Sequence, residues 1–262
     1  MAQENKRALR IGEELLNYQN DSMKIIEYND ANDIVVEFQD KYKGRVHTNY
    51  YNFKHKNVKN PYHPDVCGIG IIGGKYMARS PHGEPTKEYN TWRSMLRRCF
   101  DNNRKSLQPT YKDVTCCEEW LLFENFYDWL HSQENFQKWL DGDKWAIDKD
   151  ILIKGNKIYS PNTCCLVPKN VNNLFIKGQN VRGKYPIGVG KQYKNYTAKC
   201  QNPFTGQTEP LGTHETIEAA FLAYKFRKEF YIKQVAQEEY DKGNITKQCY
   251  EAMMKYEVEI TD

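Results

Sequence analysis

Eight cysteines and six histidines give this 262-residue chain its widest choice of chemistry: zinc ligation, nucleophilic attack or proton transfer. Zinc needs ligands that converge, typically as a Cys-x-x-Cys knuckle, and the cysteines at 67, 99, 116, 117, 164, 165, 200 and 249 contain none. Cys116–Cys117 and Cys164–Cys165 are adjacent pairs, poorly placed to bridge each other, and a disulfide framework belongs to much shorter exported chains. Reduced, buried thiols are therefore expected, with zinc on Cys99, Cys116 and Cys164 as the alternative. Cationic chemistry is more concentrated. Residues 182–234 hold nine Lys and Arg against four Asp and Glu, a net of +5, while residues 235–262 come to −4. A concentrated positive block is the electrostatic footprint of phosphate binding and, equally, of a solvated surface.

Several kinds of element must position these groups. The segments Met23–Tyr28, Ile34–Phe38 and Val46–Phe53 read as short strands separated by polar turns, which predicts a small β-barrel-like module over 1–62. The stretch 63–87, with Gly68, Gly70, Gly73, Gly74 and Pro85, reads as a linker. Tyr89, Trp92, Met95, Leu96 and Cys99 then share one helical face, and Trp120, Phe123, Phe126, Trp129 and Leu130 recur at similar spacing, as two packed helices require. Trp145–Leu152 and Cys164–Pro168 read as two strands running into a helix around Val171. Beyond residue 182 the pattern is three strands and a helix that starts at a Thr216 cap and offers Ala219, Ala220 and Ala223 to the sheet. The fold class expected is α+β, with blocks at 88–181 and 182–262 after the linker. No run approaches the ~18 apolar residues of a membrane span, and the start Met-Ala-Gln-Glu-Asn-Lys-Arg has no apolar region behind its charges. A cytoplasmic protein without a membrane partner is expected.

The order Tyr89-x-x-Trp92-x-x-Met95, Arg98-Cys99, Pro109-x-Tyr111, Glu119-Trp120-x-x-Phe123, Asp148-Lys149-Asp150 and Tyr159-Ser160-x-x-x-Cys164 resembles bacteriophage-encoded HNH-like, homing-endonuclease-like proteins. Past residue 183, Ile187-Gly188-Val189, Tyr196-Thr197-Ala198-Lys199, Leu211-Gly212-Thr213 and Thr216-Ile217-Glu218-Ala219-Ala220 are similar to the Apetala-type DNA-binding domain. The first resemblance implies a phosphodiester cut by a histidine base and one divalent cation, the base lying beside an aspartate at the end of the first hairpin strand. Lys149 occupies that place, between Asp148 and Asp150, and the histidines at 47, 55, 63, 82, 131 and 214 all lie outside the hairpin. A lysine of ordinary pKa near ~10.4 is protonated at neutral pH and abstracts no proton. The middle position falls on Asn156 or Asn162 and the last on Asn172 or Asn173.

The site is thus expected to be degenerate at Asp148, Lys149, Asp150, Asn156 and Asn173, without catalysis and without a cofactor. A divalent metal on Asp148, Asp150 and Asn173, in an active endonuclease, is the alternative. The second resemblance implies base-reading arginines on the first strand, where Gly190 and Gln192 stand, with Thr208 and Pro210 on the third. Lys191, Lys194 and Lys199 remain as phosphate contacts. The partner expected is nucleic acid, or else a host defence or nucleic-acid-processing protein blocked by direct contact, inside a bacterial cell.

Overall fold

A computed structural model describes residues 9–176 and 184–262, and the chain divides into two compact units, 1–129 and 130–262. The division falls inside the block expected at 88–181, and the boundary expected at 181/182 lies outside the described residues. Helices combine with several small sheets, an α+β fold. Among the described residues no helix is long and apolar enough to cross a membrane.

The first unit begins with a four-stranded antiparallel meander, β1 (Glu14–Leu16), β2 (Ser22–Tyr28), β3 (Ile34–Phe38) and β4 (Arg45–Thr48). Alternation turns Met23 and Ile25 inward, and a bulge between Ile25 and Glu27 resets the register so that Tyr28 also faces in, opposite Ile34. Asn49 caps the short helix α1 (Tyr50–Lys54) by accepting from the Asn52 amide at 2.8 Å, and α1 delivers Phe53 to the same core.

The stretch 63–87 is packed rather than a free linker. It carries the small strands β5 (Pro64–Val66) and β6 (Gly70–Ile71). A Cβ on Gly70 would stand 2.3 Å from Leu96 Cδ1. The Glu124 carboxylate, 9 % exposed, accepts from the Gly74 and Lys75 amides at 2.7 and 2.6 Å. Gly70 and Gly73 thus serve close approach where chain flexibility was expected, the latter leaving room for Glu124.

Thr86 caps α2 (Lys87–Phe100), which buries Tyr89, Trp92, Met95, Leu96 and Cys99 as their spacing predicts. A short α3 (Asn102–Leu107) and strand β7 (Thr115–Cys116) follow. Trp120 sits in a 3-10 turn ahead of α4 (Phe123–His131), where its carbonyl accepts from Trp92 Nε1 at 2.7 Å. The stripe expected on one helix is therefore split between a turn and a helix.

In the second unit α5 (Phe136–Asp141) precedes strands β8 (Trp145–Asp148), β9 (Ile158–Tyr159) and β10 (Cys165–Pro168), then helix α6 (Lys169–Leu174). β8 and β10 pair antiparallel with Asp148 opposite Cys165, so the strand–loop–strand–helix order is present. Strands β11 (Val189–Gln192), β12 (Asn195–Gln201) and β13 (Thr208–His214) form an antiparallel sheet, followed by the 25-residue α7 (Ile217–Asp241) and by α8 (Lys247–Met254). Ile151, Val167 and Val171 from the hairpin share one buried cluster with Cys200, Phe221, Tyr224, Val235 and Met253. Hairpin, sheet and C-terminal helices therefore form a single core. Gly188, at φ +77°, lets the chain cross the Tyr224 ring, which a Cβ would meet at 2.0 Å. Ala220 faces the core as expected, but Ala219 is exposed: Phe221 and Tyr224 make the remaining contact with the sheet.

Candidate nucleic-acid interface

Asp148 closes β8 and is 9 % exposed. Its Oδ1 accepts from the backbone amides of Asp150 at 2.7 Å and Ile151 at 2.9 Å. Burial, reinforced by the charge of Asp150, pushes the Asp148 carboxyl up to about 7. Lys149, in the place of a base, has its Nζ 3.1 Å from Asp150 Oδ2. Asn156 donates Nδ2 to the carbonyls of Lys149 and Ile158 at 2.6 and 2.7 Å, stitching the loop together.

These four residues form one network whose hydrogen bonds close the turn. Asn173 is elsewhere: on α6 it lines an open cleft of about 800 Å³ with Lys138, Lys144, Trp145, Lys169 and Asn170. Within it buried Glu239 accepts from Asn170 at 3.0 Å and from Asn244 at 2.7 Å. Among the described residues no group of three His, Cys, Asp or Glu side chains could hold a metal ion. All eight cysteines are free thiols, and burial pushes Cys164 up to about 12, which leaves it a poor nucleophile.

The three-stranded sheet offers a different surface. Successive residues of a strand point to opposite faces, and in β12 Tyr196, Ala198 and Cys200 turn to the α7 side. Their alternates Asn195, Thr197, Lys199 and Gln201 face solvent, joined through register by Gly190 and Gln192 of β11 and by Thr208, Pro210 and Thr213 of β13. This face carries amides, hydroxyls and one ammonium, and no acid. Glu209 of β13 is turned to the other side, where Tyr231 at 2.5 Å, Asn202 at 2.8 Å and Arg227 at 3.2 Å bind it and hold its carboxyl below the usual range.

The three lysines expected at phosphates do not share this face. Lys199 lies on it. Lys191 pairs with Tyr196 and so points to the α7 side, its ammonium 3.8 Å over the Tyr196 ring and 3.0 Å from the Lys194 carbonyl. Lys194 occupies the two-residue turn between β11 and β12 and is exposed.

Tyr193, beside it, is the residue missed in the sequence. It is 94 % exposed at φ +51°, a left-handed conformation suited to Gly or Asn and disfavoured for a bulky side chain. A tyrosine between two strand segments, in a slot where turn chemistry favours a small residue, was the readable signal. The hairpin therefore ends in a projecting phenol ring flanked by Lys194 and by the polar face behind it.

No family model, curated protein or solved structure matches the chain.

Proposed function

We propose that this chain binds nucleic acid through the solvent face of β11–β13 and does not cut it. The observation that carries the reading is Tyr193, an exposed aromatic ring held in a costly backbone conformation at the tip of a sheet whose solvent face is polar and acid-free. A ring in that position stacks on an unpaired base or wedges into a groove, contributing about 1–3 kcal/mol where bases stack on aromatics. Lys194 and Lys199 meet phosphates from the turn and from the sheet. Gln192, Asn195 and Gln201 supply amide groups without the guanidinium forks that read guanine, so binding is governed by the backbone and is broad in sequence.

The hairpin presents no histidine as a base for cleavage: Lys149 is paired with Asp150, and Asp148 is bound to the turn. The order of motifs supports descent from a phage HNH-like endonuclease, acting in the cytoplasm of a bacterial host, where free thiols persist. The test is fluorescence anisotropy of the full chain with several short duplexes and single strands of unrelated sequence, titrated with salt. Similar affinities that fall linearly on a log–log salt plot are expected. No binding at low salt, together with a stoichiometric host protein recovered after nuclease treatment, would overturn the reading in favour of a protein-blocking factor.

A further inference from the structure

Helix α7 buries one side and leaves another bare. Its core residues Ala220, Phe221, Tyr224, Tyr231, Ile232, Val235 and Ala236 lie toward the sheet and α8. On the opposite side Leu222, Phe226 and Phe230 are 61 %, 76 % and 46 % exposed. With Ala219 and Ala223 they fall at i, i+3, i+4, i+7 and i+11, a continuous apolar stripe along the helix. A second apolar stripe is unnecessary for folding, since the first already fills the core.

The charges around the stripe indicate what covers it. Lys225, at one flank, is paired with Glu229 at 3.0 Å within the helix. Two further charges on the same side are exposed and opposite in sign: Glu218, eight positions before Phe226, and Lys233, seven positions after it. That arrangement complements itself under a two-fold axis. A copy packed antiparallel with Phe226 against Phe226 sets Leu222 against Phe230 and brings Glu218 of each chain beside Lys233 of the other. A shallow crossing near ~20°, the geometry of helices packed along such a stripe, keeps both ends within reach of a lysine.

We infer that the stripe on α7 is an isologous interface with a second copy of this chain, centred on Phe226. An aromatic side chain offers roughly 150–250 Å², so the three large side chains leave on the order of 350 Å² of apolar surface per copy. Two copies bury about 700 Å² of it, below the 1,200–2,000 Å² of stable complexes. The dimer is consequently weak, and it leaves the polar face of each sheet free because α7 lies on the other side.

The experiment is sedimentation velocity of the full chain from about 1 to 500 µM, with circular dichroism to verify folding. Wild type should shift from monomer to dimer across that range. Phe226→Asp should remain monomeric. Lys233→Glu and Glu218→Lys should each raise the dissociation constant about tenfold, and the double swap should bring it back to within about threefold of wild type. A wild type that is monomeric at every concentration, or a double swap no better than either single change, would overturn the inference. The single and double swaps alter only exposed side chains, so the result does not depend on the fate of Phe226→Asp.

Discussion

Replacing Asp148 with asparagine should stabilise the protein at alkaline pH and do nothing at acid pH. The Asp148 carboxyl rises from 3.8 to about 7 because it is buried beside Asp150. Between those two pH values the unfolded chain gives up this proton and the folded chain keeps it. Stability from Asp148 is therefore complete below about 3.8 and is lost as pH rises through about 7. At 1.36 kcal/mol per pH unit the loss is at most about 4 kcal/mol, and partial relaxation of the site brings the expectation to about 1–3 kcal/mol. Asparagine reproduces the protonated acid: its Oδ1 still accepts from the amides of Asp150 and Ile151, and its Nδ2 replaces the proton facing Asp150. Urea unfolding of wild type and Asp148→Asn at pH 5, 6, 7 and 8 reads the difference, with other carboxylates cancelling between the two. The gap should open in favour of the variant from pH 5 to about 7 and level off by pH 8. Parallel profiles, or a variant less stable than wild type at pH 8, would refute the reasoning.

Other outcomes follow from the same geometry. Tyr193→Gly relieves a left-handed tyrosine at φ +51° and should raise stability by about 0.5–1 kcal/mol by urea titration, while weakening nucleic-acid binding severalfold. Supercoiled plasmid incubated with magnesium, manganese or zinc should remain intact; nicking that vanishes in Asp148→Ala would contradict the assignment of Asp148 to the turn.

The helix of Tyr89, Trp92 and Leu96 was legible because a 3.6-residue period is a local property, and the order of β8, β10 and α6 was legible because short apolar strands and a following helix are local as well. What escaped was long-range. Nothing between Trp129 and Leu130 marks a boundary, since the second core is assembled by Val167 meeting Val235 and Met253, residues far apart in sequence. The stretch 63–87 looked like a linker because glycine signals both flexibility and close approach, and only the positions of Leu96 and Glu124 decide between them. Asn173 lay at the right spacing from the hairpin yet belongs to the cleft, because Val171 and Leu174 claim the inner side of α6. At the sheet, lysine counting treated Lys191, Lys194 and Lys199 alike. Pairing register separated them, and backbone strain, which composition does not encode, singled out Tyr193.

The most direct test compares four single alanine variants of the full chain, at Lys191, Tyr193, Lys194 and Lys199, in salt titrations against one duplex and one single strand. Lys194→Ala and Lys199→Ala should each reduce the salt slope by about one. Tyr193→Ala should lower affinity on the single strand by about tenfold with the slope unchanged. Lys191→Ala, whose ammonium is committed to Tyr196 and the Lys194 carbonyl, should change neither. Equal effects from Lys191 and Lys199, or no effect from Tyr193, would contradict binding through this face.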